Sequence, residues 1–325
     1  MKKILHILSV ALLLPIFAKA QDPQFTQFYS NPLYQAPSFA GAISGYRASL
    51  NYRDQWPKMP GKLNTMNVAI DANIDKINSG LGLIALRDVA GSASYSNLSV
   101  GLLYAYNIRL NRRIYLRPGL GFYMNQRSLD YEKLLFASQM YANSTSQPVL
   151  PEDFSNITAF DGSCSLLLLA RNYWVGLSAD HLMQPNVSVT GYDYKMPIKY
   201  TVFAGLKLHK LERLISTKRQ TVTLAANFRH QGVTNQMDVG LYWYYSPIVL
   251  GVWYRDLPLI KDYSRRDALA FLIGYEYESF KIGYSYDFTL SHLITNTGGA
   301  HEVSLSYKFE IERKRKFKSI PCPEF

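Results

Sequence analysis

Along most of the chain, apolar and polar residues alternate with a period of two. In the stretch 280–290, Phe280, Ile282, Tyr284, Tyr286, Phe288 and Leu290 fall on one face, with Lys281, Gly283, Ser285, Asp287 and Thr289 on the other. Val303, Leu305, Tyr307, Phe309 and Ile311 oppose Ser304, Ser306, Lys308 and Glu310 in the same way, and Tyr46, Ala48, Leu50 and Tyr52 oppose Arg47, Ser49, Asn51 and Arg53. Strict alternation is the signature of a strand with two unlike faces. It predicts fourteen strands near 43–53, 63–74, 80–88, 96–107, 113–126, 157–169, 172–182, 197–209, 220–230, 234–245, 248–256, 267–277, 279–290 and 301–311. Most are longer than the usual mode of about 5–6 residues and reach the roughly 9–11 that a tilted membrane strand requires.

A soluble sandwich and a membrane barrel both alternate, but they use their polar faces differently. A barrel in lipid turns the apolar face outward and confines the polar face to a lumen. Confinement suits the glycines placed within strands here (Gly82, Gly101, Gly119, Gly121, Gly176, Gly205, Gly240, Gly251, Gly274 and Gly283), where glycine otherwise weakens a sheet. Aromatics near strand ends (Tyr104, Tyr106, Trp243, Tyr244, Tyr245, Trp253, Tyr254, Tyr275 and Tyr277) suit interfacial girdles. The connections also sort by length: the odd ones are mostly long and the even ones mostly short, as in a barrel with periplasmic termini and extended outer loops. The expected fold is therefore all-β, a transmembrane antiparallel β-barrel over residues 43–311.

Composition sharpens this. Charged residues are 18% and aromatics 14%, with 25 Tyr. Disorder is excluded, and two cysteines exclude a disulfide scaffold. Past residue 20 no apolar run is long enough for a spanning helix. Residues 1–20 read as a signal peptide: Lys2 and Lys3, the apolar run Ile4 to Phe17, then Ala18-Lys19-Ala20 before Gln21. Its removal lowers the formal net charge from +11 to +8, since it holds three lysines and no acid.

Residues 21–42, QDPQFTQFYSNPLYQAPSFAGA, carry three prolines and scattered aromatics. Proline lacks the ladder donor, so this segment is not a strand. It is too apolar for a free tail and is expected to lie in the barrel mouth or lumen as a plug, the alternative being a flexible periplasmic arm. Asp22-Pro23, then Phe25, Phe28 and Tyr29, then Asn31-Pro32, then Pro37-Ser38-Phe39-Ala40-Gly41 resemble the start of the PorP/SprF family, outer-membrane proteins of the Bacteroidetes type IX secretion system. Tyr46 to Trp56 is similar to the family's first strand, and Cys322-Pro323-Glu324-Phe325 to its short Cys-Pro tail; Ser30-Asn31 departs from the more hydrophobic pair expected there. The resemblance implies a non-enzymatic outer-membrane component that assists secretion or surface attachment of cargo such as gliding adhesins. Its implied partners are secretion subunits and the cargo, with no nucleic acid and no cofactor. A general channel or solute transporter is the alternative reading, and an outer-membrane enzyme a third.

Little other chemistry stands out. The histidines show no H-x-x-x-H spacing, Ser291-His292 is only faintly similar to the Ser and His of an outer-membrane lipase, and no nucleophile elbow or phosphate loop occurs. No catalytic, metal or cofactor residue is assigned. Cys164 shares the lipid-facing register of Leu166 and Leu168, so a disulfide to Cys322 is not expected. The lumen is expected to hold Arg47, Arg53, Arg117, Lys207, Arg229, Lys281 and Lys308 against Asp180, Glu276, Asp287 and Glu310, as a salt-bridged filling more than a passage. Two surfaces are expected to meet partners. One is the outer loop 127–156, with Tyr131. The other is the basic tail 312–325, with Arg313, Lys314, Arg315 and Lys316, suited to a periplasmic or peptidoglycan-associated subunit.

Overall fold

A computed structural model describes residues 22–59, 61–130, 133, 156–189, 193–211, 220–256, 268–290 and 297–309. The strands are β1 (Tyr46–Gln55), β2 (Lys62–Ile74), β3 (Ser79–Gly91), β4 (Tyr95–Tyr106), β5 (Ile108–Arg109), β6 (Ile114–Ser128), β7 (Ile157–Ala170), β8 (Tyr173–Asp180), β9 (Lys199–Leu211), β10 (Gln220–Gln231), β11 (Thr234–Tyr245), β12 (Ile248–Asp256), β13 (Ala268–Tyr277), β14 (Phe280–Thr289) and β15 (Ala300–Phe309). The two-residue β5 only extends the pairing at the start of β6. The other fourteen form a closed antiparallel barrel. Neighbours in sequence pair throughout, β4 pairs with β6, and the ring shuts where β1 lies against β15, Tyr46 opposite Phe309 and Gln55 opposite Ala300. Closure leaves no unpaired edge, which a strand in hydrocarbon cannot tolerate.

The two faces separate as the alternation requires. In β1, Arg47, Ser49, Asn51 and Arg53 are buried inside, while Tyr46 and Tyr52 are exposed. Leu102 is 63% exposed and Leu120 61%, whereas Arg117 and Glu302 are fully buried. An apolar outer surface that runs around the whole circumference over a polar interior is the membrane arrangement. Cys164 lies on the outward register and has no disulfide partner among the described residues.

Three expectations need correction. Trp253 and Tyr244 do not join an interfacial girdle; they share the inward parity of Tyr242 and Arg255, and Trp253 is only 4% exposed. The cause is a cross-strand rule of the interior, where a large ring lies over the glycine directly opposite. Trp253 faces Gly240, Tyr242 faces Gly251, Trp174 faces Gly205, Phe203 faces Gly176 and Tyr123 faces Gly101. At each of these glycines an added Cβ would run into that ring. The strand glycines therefore make room for aromatics, and the lumen is not uniformly polar: Leu167, Leu169, Trp174, Phe203, Tyr242, Trp253 and Leu272 form an apolar wall on the β7–β13 side. Finally, β3 and β4 run further than expected, so the connection 92–94 is a tight turn with Gly91 at φ 77°.

Candidate functional site: the N-terminal segment inside the barrel

Residues 22–45 run back from the start of β1 through the interior, with Gly41 near the short-turn end and Asp22 near the long-loop end. The sequence explains the irregular path. Pro32 and Pro37 each open a short helical turn, Pro32–Gln35 and Pro37–Phe39, where a missing N–H costs nothing. Gly41 takes φ 63° and lies against the backbone of Ala72 and Gly80, a position closed to any side chain.

Three sets of wall residues hold the segment. At the short-turn end, Arg117 Nε donates to the Ser38 carbonyl at 2.9 Å and its guanidinium reaches the Ala40 carbonyl. The Ser38 N–H donates to Ser165 Oγ at 2.8 Å, and the Gly41 N–H to Asp71 Oδ2 at 2.9 Å, while Asp71 also pairs with Arg47 at 2.8 Å. The backbone here lies directly on Gly80 and Gly119, where a Cβ would collide with the segment's main chain.

At mid-height the wall carries a buried charge network. Glu302 accepts the N–H groups of Thr26 at 2.7 Å and Gln27 at 3.1 Å. Arg53 bridges Asp287 at 2.7 Å and Glu302 at 3.3 Å, and Arg255 bridges Asp238 at 2.9 Å and Asp287 at 3.3 Å. Arg229 pairs with Asp238. The Thr26 hydroxyl donates to Asp287 at 2.8 Å. Asn51 donates to Ser30 Oγ at 2.6 Å and Asn67 to Asn31 Oδ1 at 2.7 Å. Charges buried this deeply persist only when paired and hydrogen-bonded, because breaking one pair leaves an uncompensated ion.

At the long-loop end Asp22 is the anchor. Its Oδ2 lies 2.8 Å from both His181 Nε2 and Lys199 Nζ, and its N–H donates to Gln231 Oε1 at 3.2 Å. His181 Nδ1 meets Asp161 Oδ2 at 2.5 Å. Burial works against charge on His181, but the Asp22 carboxylate and the hydrogen bonds to Asp161 and Asp22 outweigh it and raise its pKa to about 9. Burial likewise works against charge on Asp22, yet His181 and Lys199 hold its carboxyl well below the usual range.

Aromatic contacts complete the seating. Phe25 meets Tyr34 edge-on at 5.2 Å between ring centroids, Phe28 meets Trp253 at 5.1 Å, Tyr29 meets Tyr242 at 5.1 Å and Phe39 meets Phe203 at 5.4 Å. Tyr34 also donates to the Pro23 carbonyl.

The motif residues Asp22, Pro23, Phe25, Phe28, Tyr29, Pro32, Pro37, Phe39 and Gly41 are thus brought together inside one barrel. Arg47, Arg53, Arg117, Arg229 and Asp287 line its interior as expected, and Lys281 pairs with Glu276 at 3.0 Å. Sequence reading missed Glu302, Asp238, Arg255, Asp71 and the role of His181. Parity could have found Glu302, which shares the inward face of Ser304 and Ser306; the pairing of His181 with Asp22 crosses the lumen and leaves no local trace. Tyr131, Glu310, His292, Cys322, the signal peptide and the tail with Arg313, Lys314, Arg315 and Lys316 lie outside the described residues. Among the described residues no group of three His, Cys, Asp or Glu side chains is placed to hold a metal ion.

Comparison with known proteins agrees with this architecture. The crystal structure of the Ralstonia pickettii toluene transporter TbuX superposes with a TM-score of 0.51 at 12% identity, covering 86% of this chain and 94% of that one. A TodX deltaS2S3 mutant, a monoaromatic hydrocarbon channel, gives a TM-score of 0.49 at 13% identity over 89% and 95%. At such identities the likeness to TbuX speaks for the outer-membrane barrel fold alone. No curated protein matches the sequence. Residues 17–307 match the family model described as type IX secretion system membrane protein PorP/SprF. The match spans nearly the whole barrel together with the segment threaded through it, and the chain belongs to the PorP/SprF family of type IX secretion system membrane proteins.

Proposed function

We propose that the protein is a non-enzymatic outer-membrane component that assists secretion or surface attachment of cargo, such as a gliding adhesin, and that it does not conduct solutes through its lumen. The observation that supports this is the filled interior. The N-terminal segment is tied to the wall at three heights, and each tie uses buried polar or charged groups that would lose a hydrogen-bond partner if the segment withdrew. An open, porin-type channel would keep that volume filled with water. On this reading the barrel is a rigid platform whose two rims do the work. The outer loop between β6 and β7, with Tyr131, engages the cargo, because loops held by a rigid scaffold carry contacts. The basic tail, with Arg313, Lys314, Arg315 and Lys316, docks a periplasmic or peptidoglycan-associated subunit over about a Debye length of ~8 Å.

Affinity purification of the full-length protein from its native membrane, with planar-bilayer recording of the same preparation, tests the proposal. Secretion subunits or a surface adhesin should co-purify, and the bilayers should stay silent. Steady ohmic conductance with no co-purifying subunit would instead favour the channel reading. Changing the four tail residues to Gln should leave barrel assembly intact and weaken subunit capture in a salt-dependent way; unchanged capture at low salt removes the tail from the docking model.

A further inference from the structure

Arg87 is set apart from the other cations. Among the described side chains of the long strands it is the one Lys or Arg turned to the lipid face. Its strand neighbours Ile84 and Leu86 are buried inside, Leu83 is exposed outside, and Arg87 follows the outward parity of Leu81, Leu83 and Ala85. Arg47, Arg53, Arg117, Arg127, Arg229 and Arg255 all point inward. No carboxylate lies within ion-pair distance of Arg87 among the described residues; the nearest outward acid by register, Asp54, is two strands away.

The register places Arg87 at the edge of the apolar belt. It lies opposite Met66 on β2 and Leu98 on β4, and the same row continues to Gln126 and Thr158. One outward row further out Val89 lies among polar neighbours, Asn64, Ser96 and Ser128. Arg87 therefore stands where hydrocarbon gives way to headgroups. Below it the wall is furrowed. Ala85, smaller than its outward neighbours Leu83 and Arg87 on β3, is flanked by Val68 and Val100, and the furrow leads to an apolar groove of ≈ 890 Å³ bounded by Ile70, Leu83, Leu102, Leu120, Phe122 and Met183.

We propose that this wall binds one phosphorylated lipid of the outer leaflet, its phosphate on Arg87 and one acyl chain along Ala85 into the groove. The charge fits: a guanidinium presents a planar fork that binds phosphate bidentately, and Ser96, diagonal to Arg87 across β3 and β4, offers a further hydroxyl. The length fits as well. Six residues separate Arg87 from Leu81, about 20 Å of strand at roughly 3.3 Å per residue. A tilt of about 45° reduces this to about 14 Å of depth, a distance that an extended acyl chain can follow down the wall. The chain would end in the groove, toward the short-turn end of the wall. The assignment to the outer leaflet rests on the long-loop end facing outward.

The full-length protein in detergent, titrated with bis-phosphorylated lipid A or its dephosphorylated form and read by native mass spectrometry, tests this. The wild type should retain one phosphorylated lipid at least about tenfold better than the dephosphorylated form. Arg87→Gln should abolish that preference, Arg87→Lys should keep part of it, and Ala85→Phe should weaken retention of both forms by blocking the furrow. Heat-modifiability confirms that each variant is a folded barrel. Equal retention of the two lipids by the wild type, or an undiminished preference in folded Arg87→Gln, overturns the proposal.

Discussion

Replacing Glu302 by Gln tests what holds the N-terminal segment in place. The carboxylate is fully buried and does three things at once: it accepts the N–H of Thr26, accepts the N–H of Gln27 and pairs with Arg53. Gln fills nearly the same volume but keeps a single acceptor oxygen and no charge. One backbone N–H then loses its partner, and Arg53 retains Asp287, the Thr26 hydroxyl and a long contact to Gln55 Oε1 at 3.5 Å. Removing one member of a buried pair costs about 3–5 kcal/mol. Because Arg53 keeps a second carboxylate, the lower figure applies, and about 3 kcal/mol at 1.4 kcal/mol per tenfold is a factor of roughly 10² in the population of the released segment. Hydrogen exchange followed by mass spectrometry reads this directly. Protection of peptides covering residues 25–31 should fall about a hundredfold, while peptides in β8 and β9, on the opposite wall, keep theirs. If Thr26 and Gln27 stay as protected as in the wild type, in a barrel that remains heat-modifiable, the mid-height network does not retain the segment.

Other outcomes follow from the same contacts. Gly119→Val drives side-chain atoms into the Ser38 backbone and should cost about 1–3 kcal/mol or more of overpacking, read as faster proteolysis of the segment in an otherwise resistant barrel. The Asp22 latch should be pH-bounded. His181 has its folded pKa raised to about 9 from an ordinary 6.5, so its contribution is complete below about 6.5 and lost as pH rises through about 9; Asp22 has its folded pKa lowered, so its contribution is present above the ordinary 3.8 and lost as pH falls through that lowered value. Exchange at residues 22–24 should therefore be slowest between those limits, and His181→Ala should remove the alkaline boundary. Gly240→Val places a branched side chain where the Trp253 ring lies and should lower the unfolding temperature by several degrees. Deleting residues 138–151 should leave the barrel folded and reduce cargo retention on cells; normal retention in a folded barrel would remove the loop from the cargo model.

The strands were legible because a barrel in lipid imposes a local rule. Each residue faces hydrocarbon or lumen by parity alone, so Phe280, Ile282 and Tyr284 declare their side without any knowledge of their neighbours. Strand number and facing follow from that rule, as does the irregularity of a proline-bearing start. The identity of the interior partners does not. Trp253 looked like a girdle residue because its strand-end position and aromatic character match that role; only its pairing with Gly240 shows that the ring has space inside. Glu302, Asp287 and Arg53 lie on three strands, and what makes them a site is Thr26, more than two hundred residues before Asp287 in the chain. Asp22 and His181 meet across a lumen that exists only once β1 has closed on β15. Alternation is a property of consecutive residues and is fixed by the sequence, whereas the charge network requires ring closure to bring distant side chains within hydrogen-bond range, and so it was decided by the tertiary structure alone.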